Sequence, residues 1–477
     1  MTRSFTPTTI EDLDPERRPS FAAALVPVLA VVAFLGIGSA VLGLDPHPPL
    51  LWGIVFVGAF GLWLGYDWDE LFEGVANGLL MGLQALLIIF TIYGLIATWV
   101  SAGTIPGLMY YGLGTLTPTT FLPAAAVLAG VVAFAIGSSW TTVGTLGVAF
   151  VGIGAGLGVP APMTVGAVLS GAYAGDKQSP LSDTTNLAAG VTNTDLYAHI
   201  RRMRDGTVAA FGLAVLGFVA LGLRTEGAIP AGRIAEIQGA LGETYAISVL
   251  AFLPLVVTFG LALRGYPALP TLVAGVFAGA ATTVLVQGAG FVAAWEVFMY
   301  GTAPESGSDL VNELLATGGL TGSAWTITVV VAALSLGGIL ERTGVLAVIA
   351  HEFTTAVRSP GALVAGTGVG AILINALTAQ QYMSIVLPGV TLRNTYEEFG
   401  LDSDQLSRAV EAAGTPTGAL FPWHAGAVFM TSVTGVPTLE YAPYYLFAFL
   451  SPLALFAVAV TGRSLDVAER PTPAAAD

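Results

Sequence analysis

The chain alternates long apolar runs with short polar connections. Between Glu73 and Asp176 it carries no Asp, Glu, Lys, Arg or His, which is typical of membrane-embedded segments. A helix needs roughly 20 apolar residues to cross a bilayer. Runs near that length, which we predict to be spanning or broken helices, are 21–44, 50–66, 77–100, 119–137, 139–158, 161–175, 206–223, 245–263, 268–286, 322–340, 361–378, 418–432 and 441–462.

Three polar interruptions break the first half of the chain, and three follow in the same order in the second half. Corresponding broken segments are typical of secondary transporters with inverted repeats, whose broken helices meet near the middle of the membrane. We therefore predict an all-α polytopic membrane protein with two inverted-topology repeats, broken helices and re-entrant hairpins. The paired interruptions are 98–106 with 337–344, 138–142 with 375–381, and 176–186 with 411–417.

The boundaries of the repeats follow from the least helical polar stretch, residues 224–244. It contains Pro230 and several charges, and we interpret it as an irregular linker between the repeats. The other predicted units are an N-terminal tail (1–20), the first repeat (21–223), the second repeat (245–462) and a C-terminal tail (463–477).

An inverted repeat has an odd number of crossings, so two such repeats place both termini on one side of the membrane. Arg17 and Arg18 precede the first span and Arg463 follows the last. The positive-inside rule makes that side the cytoplasm. Residues 1–20 lack the basic and apolar regions of a signal peptide, so we expect no cleaved leader.

The composition supports a membrane protein and excludes several functional classes. Only 10% of the 477 residues are charged, against about 25% in soluble domains. The net charge of −15 argues against nucleic-acid binding, which needs basic patches. The chain has no cysteine and no paired spacing among its four histidines, so we expect no metal centre and no cofactor. An acidic chain with one lysine resembles halophile proteins, although a GC-rich genome also favours arginine.

The charge-free run ends in a polar segment at residues 175–186. Pro180 breaks the helix there, because proline lacks a donor and clashes one turn back. Carboxylate, hydroxyl and freed carbonyl oxygens are the ligands of hard cations, including Na⁺ in transporters. A carboxylate can also take up a proton, so Asp176 and Asp183 predict a shared site for Na⁺ or H⁺. The neutral ligands that this segment offers are Ser182, Thr184, Thr185 and Asn186.

Lys177, the only lysine of the chain, follows Asp176 directly. In the site hypothesis it holds one carboxylate ionised or substitutes for the cation. The structural alternative is an ion pair between Asp176 and Lys177 at a helix end. The basic cluster further along is interpreted as a cytoplasmic loop, because basic loops mark the inner side. That cluster comprises Asp195, Arg201, Arg202 and Arg204.

The remaining interruptions offer neutral oxygens. Those of the first half either line the site or make the interhelical hydrogen bonds common to membrane Ser and Thr. Those of the second half can coordinate a cation but cannot balance its charge. The first group is Ser138, Ser139 and Thr141, and the second is Asn375, Thr378, Gln380 and Gln381.

Coupling or gating roles are predicted for polar residues nearer the C-terminus. Arg408 and Glu411 lie three apart and either pair on one helix face or belong to the surface. Thr415 follows in the same segment. Trp423 and His424 act as a gate or as an interfacial anchor.

Four segments resemble the sodium/proton antiporters of the NhaC family, within the larger ion-transporter superfamily. The resemblance implies Na⁺ export in exchange for H⁺, on two inverted repeats with re-entrant hairpins. The family often carries an acid where this chain has Gln380, and a neutral polar residue where it has His424. Some relatives exchange organic acids such as malate for lactate. The matching segments are 175–186, 98–106, 381–389 and 406–423.

The sequence thus predicts a secondary transporter in the cell membrane that exchanges cytoplasmic Na⁺ for external H⁺ by alternating access. Its partners are the lipid bilayer, Na⁺ and H⁺, and a homodimer is left open. The alternative is an organic-acid or amino-acid exchanger coupled to Na⁺ or H⁺ on the same fold. A passive channel is a further alternative. A membrane enzyme is disfavoured because the sequence shows no nucleophile–His–acid set.

Overall fold

The computed structural model describes residues 8–225, 232–462 and 465. Helices make up the regular secondary structure of these ranges, which confirms the all-α class. Seven of the described helices are long and apolar enough to cross a bilayer, and two bent pairs raise that number to nine. The predicted polytopic membrane architecture is therefore confirmed.

The described part of the first half contains nine α-helices, α1 to α9. They are α1 (Phe21–Leu35), α2 (His47–Trp63), α3 (Trp68–Ser101), α4 (Thr104–Thr115), α5 (Pro118–Ile136), α6 (Ser139–Gly156), α7 (Ala161–Asp176), α8 (Asp183–Val191) and α9 (Leu196–Arg224).

The described part of the second half continues from α10 to α23. These helices are α10 (Arg233–Thr244), α11 (Leu253–Ala262), α12 (Ala268–Leu285), α13 (Phe291–Tyr300), α14 (Asp309–Leu315), α15 (Ala324–Arg342), α16 (Val345–Ala356), α17 (Pro360–Thr378), α18 (Gln381–Thr391), α19 (Arg393–Glu398), α20 (Ser403–Thr417), α21 (Ala425–Thr434), α22 (Thr438–Tyr441) and α23 (Leu446–Thr461).

Helix α3 begins well before the predicted apolar run, because its polar first turn is capped. Asp67 accepts a hydrogen bond from Glu70 N at 2.8 Å, and Glu70 accepts one from Asp67 N at 3.0 Å. This reciprocal arrangement satisfies donors at a helix start. Arg17 adds an ion pair to Glu70 at 2.9 Å, so charged residues extend the helix beyond its apolar part.

The described C-terminal part of the predicted linker is helical, although the sequence pattern marks this stretch as the least helical of the chain. Residues 233–244 form α10, whereas residues 226–231 lie outside the described ranges. Ile237 and Leu241 lie one turn apart and are buried, and Gln238 Nε2 donates to Tyr110 O at 2.8 Å. A short amphipathic face, which the surrounding charges mask in the sequence, therefore holds this helix against the first half.

The basic cluster predicted as a loop instead forms the first turns of α9. Asp195 is the N-cap of that helix and accepts a hydrogen bond from Ala198 N at 2.9 Å. Arg202 pairs with Asp404 of α20 at 2.9 Å. A capped start and a cross-helix ion pair stabilise helical structure in a segment whose polarity suggested a loop.

The two halves repeat the same backbone breaks. Gly103 and Gly344 take left-handed conformations, with φ of +77° and +73°, after α3 and α15. Gly137 and Ala379 do the same after α5 and α17, with φ of +75° and +54°. Helices α3 to α9 thus correspond in order to α15, α16, α17, α18, α20, α21 and α23.

Corresponding helices cross in opposite directions, which makes the repeats inverted. A Cβ on Gly78 of α3 would lie 2.3 Å from Leu334 O, whereas one on Gly74 would lie 2.9 Å from Gly338 O. Later residues of α3 therefore contact earlier residues of α15, so the two helices run antiparallel. The contacts between the repeats follow the same symmetry: α6 packs on α21, and their equivalents α18 and α8 pack on each other.

Helices α5 and α7 run parallel, so the chain between them, which includes α6, must return to the level at which α5 began. A Cβ on Gly171 would lie 1.9 Å from Ala126 O, and one on Gly175 would lie 2.0 Å from Gly130 O. Both helices consequently run from one face toward the interior, and α5 with α6 forms a re-entrant hairpin. The equivalent hairpin of the second repeat is α17 with α18.

The α3–α15 crossing is expected to tolerate no side chain at Gly338. A Cβ there would lie 2.1 Å from Gly74 O, and such overpacking costs about 1–3 kcal/mol. Gly338→Ala should lower the melting temperature in detergent by several degrees. Gly58→Ala is the matched control, because it lies inside α2 with nothing within 4 Å of its Cβ. Equal melting temperatures for the two variants would contradict the predicted crossing.

Candidate functional site

The break after α5 lies against the break after α7. Gly137 turns the chain, and a Cβ on it would lie 2.5 Å from Leu181 C. Ser138 then caps α6, with its hydroxyl accepting a hydrogen bond from Thr141 N at 3.1 Å. The tip of the re-entrant hairpin is consequently fixed beside the Pro180 interruption.

Asp176 ends α7 and faces the start of α6. Its Oδ2 accepts a hydrogen bond from Ser139 N at 3.0 Å, and its side chain is buried. A helix N-terminus favours a negative charge because its free N–H groups and dipole point outward. The other carboxylate oxygen of Asp176, Oδ1, is buried and has no hydrogen-bond partner among the described residues.

Asp183 starts α8 across the same break and keeps solvent access. Its Oδ1 accepts a hydrogen bond from Thr184 N at 2.9 Å. Its Oδ2 accepts one from the hydroxyl of Tyr382 in the second repeat. The second acidic residue is therefore held by groups from both repeats.

The corresponding break of the second repeat is built by neutral groups. Gln380 caps α18, accepting a hydrogen bond from Tyr382 N, and its Nε2 donates to Met81 O at 3.2 Å. Ala425 N, at the start of α21, donates to Ala379 O at 3.0 Å. This repeat contributes amide and hydroxyl groups where the first contributes carboxylates.

The breaks enclose a cavity of about 40 Å³. A cavity needs on the order of 10–15 Å³ of such volume to hold one water, so this one has room for a small, partly hydrated ion. The predicted site residues that line it are Ser138, Ser139, Asp176, Asp183, Thr184, Gln380, Gln381 and His424, together with Trp140 and Tyr382.

Unpaired oxygens make this donor set suitable for a cation. Asp176 Oδ1 and Gln381 Oε1 belong to residues that line the cavity, and both atoms are buried without a hydrogen-bond partner among the described residues. The same is true of Thr141 Oγ1, on a residue that does not line the cavity. Such groups are rare in folded proteins and often mark a site for an ion or water. No group of three or more His, Asp or Glu side chains suited to a metal occurs in the described ranges.

Lys177 points away from this cavity. Its Nζ donates to Ala412 O at 3.2 Å and to Ser451 Oγ at 3.0 Å, and lies 5.2 Å from the centre of the Phe447 ring. The side chain is fully buried. Because Asp176 bonds to Ser139 N instead, the predicted alternative of an ion pair between Asp176 and Lys177 is not the arrangement found.

Glu411 bonds to the first repeat. Its Oε1 accepts hydrogen bonds from Thr184 Oγ1 at 3.2 Å and Thr185 Oγ1 at 3.1 Å, and its Oε2 lies 2.6 Å from His199 Nε2. Arg408, predicted either to pair with Glu411 or to belong to the surface, is buried and donates to Gln405 Oε1 at 2.5 Å. The carboxylate of Glu411 thus joins α20 to α8 and α9.

Several other predicted site residues stabilise the breaks. Asn375 Nδ2 donates to Gly414 O at 2.5 Å, and its Oδ1 lies 3.3 Å from His424 Nε2. Trp423 Nε1 donates to Ala376 O at 2.7 Å. Thr378 Oγ1 donates to Ile374 O, and Asn186 Nδ2 donates to Pro180 O and Ser182 O. Ser182 caps α8. Thr415 Oγ1 is buried without a partner among the described residues.

Sequence reasoning assigned no role to Tyr382 or His199. Tyr382 directly follows the predicted pair Gln380 and Gln381, and its place in the matching segment 381–389 was the available signal. His199 lies one turn after Asp195, in a segment interpreted as a loop, so its burial was hidden.

A family model described as the Na⁺/H⁺ antiporter family matches residues 171–463. The chain is 36% identical to the Na⁺/H⁺ antiporter NhaC of Alkalihalophilus pseudofirmus, over 92% of this chain and 95% of that protein. This chain belongs to the Na⁺/H⁺ antiporter family. It is accordingly an antiporter of a multi-pass membrane class, and the NhaC resemblance is confirmed.

Two other relatives show that members of similar sequence differ in substrate. The chain is 54% identical to the arginine/ornithine antiporter ArcD of Halobacterium salinarum, over 96% of this chain and 95% of that protein. It is 34% identical to the malate-2H⁺/Na⁺-lactate antiporter of Bacillus subtilis, over 82% and 84%. Membership of the family therefore establishes antiport and leaves the substrate to be argued from the site.

If Asp183 binds Na⁺ in competition with protons, removing the Tyr382 hydroxyl should weaken Na⁺ binding at any pH at which protons compete. A hydrogen bond to a charged group contributes about 1.5–3 kcal/mol, and its loss makes protonation of Asp183 relatively more favourable. In Tyr382→Phe, the Na⁺ concentration for half-maximal thermal stabilisation should rise about tenfold near neutral pH, and less at alkaline pH.

Tyr93→Phe is the matched control for this measurement. Its hydroxyl lies 2.7 Å from Thr326 Oγ1, between α3 and α15 and away from the carboxylates. A Tyr382→Phe protein with the same Na⁺ dependence as Tyr93→Phe at every pH would show that the hydroxyl does not act on the site.

Proposed function

We propose that this protein exports Na⁺ in exchange for external H⁺ across the cell membrane by alternating access, with Asp176 and Asp183 as the shared site. The observation that carries the proposal is the cavity of about 40 Å³ between the two broken repeats. It is lined by two carboxylates and by Gln381, whose amide oxygen is unpaired, a donor set and a size that suit a small monovalent cation.

Exchange follows from competition for the same oxygens. Two carboxylates lining one cavity disfavour each other's charged form, and either a proton or a cation relieves that repulsion. A bound Na⁺ uses the carboxylate oxygens that a proton would occupy. Binding of one ion therefore expels the other, and a conformational change that exposes the site alternately to the two faces completes antiport.

The helix order supports cytoplasmic termini. Helix α3 starts beside Arg17 and crosses the membrane, α4 is too short to cross, and the α5–α6 hairpin returns to the face where it began. The broken helix α7–α8 then crosses back. Arg201 and Arg202, at the start of α9, consequently lie on the same face as Arg17, and this excess of arginine favours the cytoplasmic side.

The residues outside the cavity fit roles in coupling the two repeats. Lys177 and Glu411 each join the first repeat to α20, so a movement of α20 would change their contacts directly. Arg408, Thr415 and Trp423 would couple or gate movement at the breaks, as would His424, which lines the cavity itself. Ser182, Thr185, Asn186, Asn375 and Thr378 then support the shape of the site, close to the ions.

Arginine/ornithine exchange is the second candidate, favoured by the 54% identity to ArcD. The two carboxylates would suit a guanidinium or ammonium group, and Trp140 and Tyr382 would offer aromatic faces for a cation. In the conformation described, however, a cavity of about 40 Å³ is far smaller than an arginine side chain. This function would need a wider open state than Na⁺/H⁺ exchange does.

Transport in proteoliposomes distinguishes the candidates. With an internal pH dye, a Na⁺ gradient should drive proton movement in the opposite direction, while arginine, ornithine, malate and lactate should not. Exchange of labelled arginine for ornithine without Na⁺-dependent proton movement would favour the second candidate and contradict the first. Linear, non-saturating Na⁺ flux without proton movement would indicate a channel.

Neutralising either carboxylate should abolish exchange. Asp176→Asn and Asp183→Asn keep the side-chain shape but remove the charge that binds the ion, a loss of about 3 kcal/mol or more, on the order of a hundredfold in Na⁺ affinity. Asp309→Asn, on an exposed residue at the start of α14, is the matched control. Wild-type exchange rates in both site variants would show that these residues are not the site.

A further inference from the structure

A second cavity, of about 380 Å³, lies toward the end of α3 that is remote from Arg17. Tyr93 of α3 lines it and comes 25 residues after Trp68, where the helix begins, which corresponds to roughly 38 Å of helix. We call it the outer cavity, and the cavity lined by Asp176 and Asp183 the cation cavity. The polar side chains that line the outer cavity include Glu313, Thr317, Ser432 and Thr434.

The two cavities lie in line with each other, because the same three helices, α3, α6 and α21, line both. On α3, Ile88 is the last residue at the cation cavity and Tyr93 the first at the outer cavity. On α21, the corresponding residues are Ala425 and Ser432. Only a thin layer of packed side chains, roughly one to two helical turns deep, therefore separates the cavities.

Two stacked aromatic rings occupy this layer. Trp140 of α6 lines the cation cavity, and its ring lies on that of Phe429 of α21 with centroids 4.7 Å apart and planes 8° apart. Phe429 is fully buried and comes three residues before Ser432 of the outer cavity. From the third helix, Ile92 packs against α6, since a Cβ on Gly144 would lie 2.4 Å from its Cδ1. An apolar constriction of this kind excludes water and ions.

The equivalent position of the second repeat also carries an aromatic ring. Trp140 is the third residue after the left-handed Gly137, and Tyr382 is the third after the left-handed Ala379. As α6 packs on α21, so α18 packs on α8, where the Tyr382 hydroxyl donates to Asp183. Because the repeats are inverted, each re-entrant hairpin places an aromatic ring on the broken helix of the other repeat, on opposite sides of the cation cavity.

The contacts that hold α21 at the outer cavity are suited to being broken and re-formed. Thr326 Oγ1 of α15 lies 2.7 Å from the Tyr93 hydroxyl and 2.5 Å from Ser432 Oγ. Hydrogen bonds between neutral hydroxyls are exchanged for bonds to water at little net cost. Water that enters the outer cavity can therefore replace them when α21 moves away from α3 and α15.

We propose that the outer cavity is the external access pathway of the cation site and that Trp140 and Phe429 form its gate. The inference rests on the proposed function, which places the ion site in the cation cavity and opens it to each face in turn. Separation of α6 from α21 parts the two rings and joins the cavities. In the conformation described, the rings are in contact and the cation cavity is closed toward the outer face.

The absence of cysteine from the chain makes the pathway directly testable, because a single introduced thiol reports without background. Ala85→Cys places a thiol at the cation cavity, and Val148→Cys places one at the outer cavity. Ag⁺, a small monovalent cation that reacts with thiols, is applied to right-side-out or everted membrane vesicles in chloride-free nitrate buffer. The thiols that remain are counted with a fluorescent maleimide after denaturation.

External Ag⁺ should modify Val148→Cys rapidly and Ala85→Cys about tenfold more slowly, since the rate at the inner thiol scales with the fraction of molecules open to the outside. Adding Trp140→Ala should raise the external rate at Ala85→Cys about tenfold and leave the rate at Val148→Cys unchanged. Phe429→Ala removes the same stack from the other helix and should act alike, so it also serves if Trp140→Ala is not recovered folded.

Two control variants show whether the gate itself is responsible. Trp140→Phe keeps an aromatic ring against Phe429 and should retain the slow external rate at Ala85→Cys. Trp295→Ala is the matched control, because it also removes a half-buried indole that packs on phenylalanine rings. Trp295 belongs to α13 and lines neither cavity, so its removal should leave both rates unchanged.

The outcomes separate this inference from the proposed function. Modification of Val148→Cys from the cytoplasmic side alone would overturn the pathway. Equal external rates at the two thiols, or an unchanged rate at Ala85→Cys in both Trp140→Ala and Phe429→Ala, would overturn the gate. Because these rates are read without transport, Na⁺/H⁺ flux in proteoliposomes tests the proposed ions separately. Accessibility as predicted without Na⁺-coupled proton movement would support the pathway and contradict the proposed ions.

Discussion

The hydrogen bond from Ser139 N to Asp176 Oδ2 joins the two broken elements of the first repeat, and the rest of the site depends on it. A carboxylate inside a membrane protein persists only where its charge is compensated, and here the start of α6 supplies that compensation. The geometry requires α5 and α7 to lie close together. Gly171 and Gly175 permit this, because a Cβ on either would overlap the backbone of α5. The glycines at positions 171 and 175, four residues apart, thus let α7 approach α5 closely enough to place Asp176 at the start of α6.

The two repeats share a backbone pattern but differ in chemistry at their breaks. Gly137 and Ser138 correspond to Ala379 and Gln380, with the same left-handed turn and the same capped helix start. The first repeat places carboxylates at its break, whereas the second places amide and indole groups that donate to backbone carbonyls. The imidazole of His424 adds a contact to the side-chain oxygen of Asn375. Similar backbones suit a mechanism in which one repeat rocks against the other. The unequal side chains provide one charged pocket instead of two, which suits exchange at a single shared site.

Much of this arrangement could be predicted from the sequence. The long uncharged run, the Pro180 break and the recurring interruptions predicted the helical class, the inverted repeats and the residues around the cavity. Contacts between distant segments could not be predicted. Tyr382 and Asp183 are 199 residues apart, and His199 and Glu411 are 212 apart, so no local spacing reveals either pair. The start of α9 was misread because Asp195 and Arg202, which cap and pair in the folded chain, look like loop signals in the sequence. Helix α10 was missed because the charges around it mask its short apolar face of Ile237 and Leu241. The roles of the site residues remain predictions.

The central claim is that Na⁺ and protons compete for the carboxylates of one small cavity, and Na⁺-induced proton release tests it most directly. Purified protein in detergent, in weakly buffered solution containing a pH dye, is titrated with Na⁺ across a range of pH, with choline as the control for ionic strength. The account predicts saturable proton release by Na⁺ that is largely lost when Asp176 and Asp183 are both replaced by Asn. Saturable Na⁺ binding without proton release, or release by arginine and not by Na⁺, would contradict it.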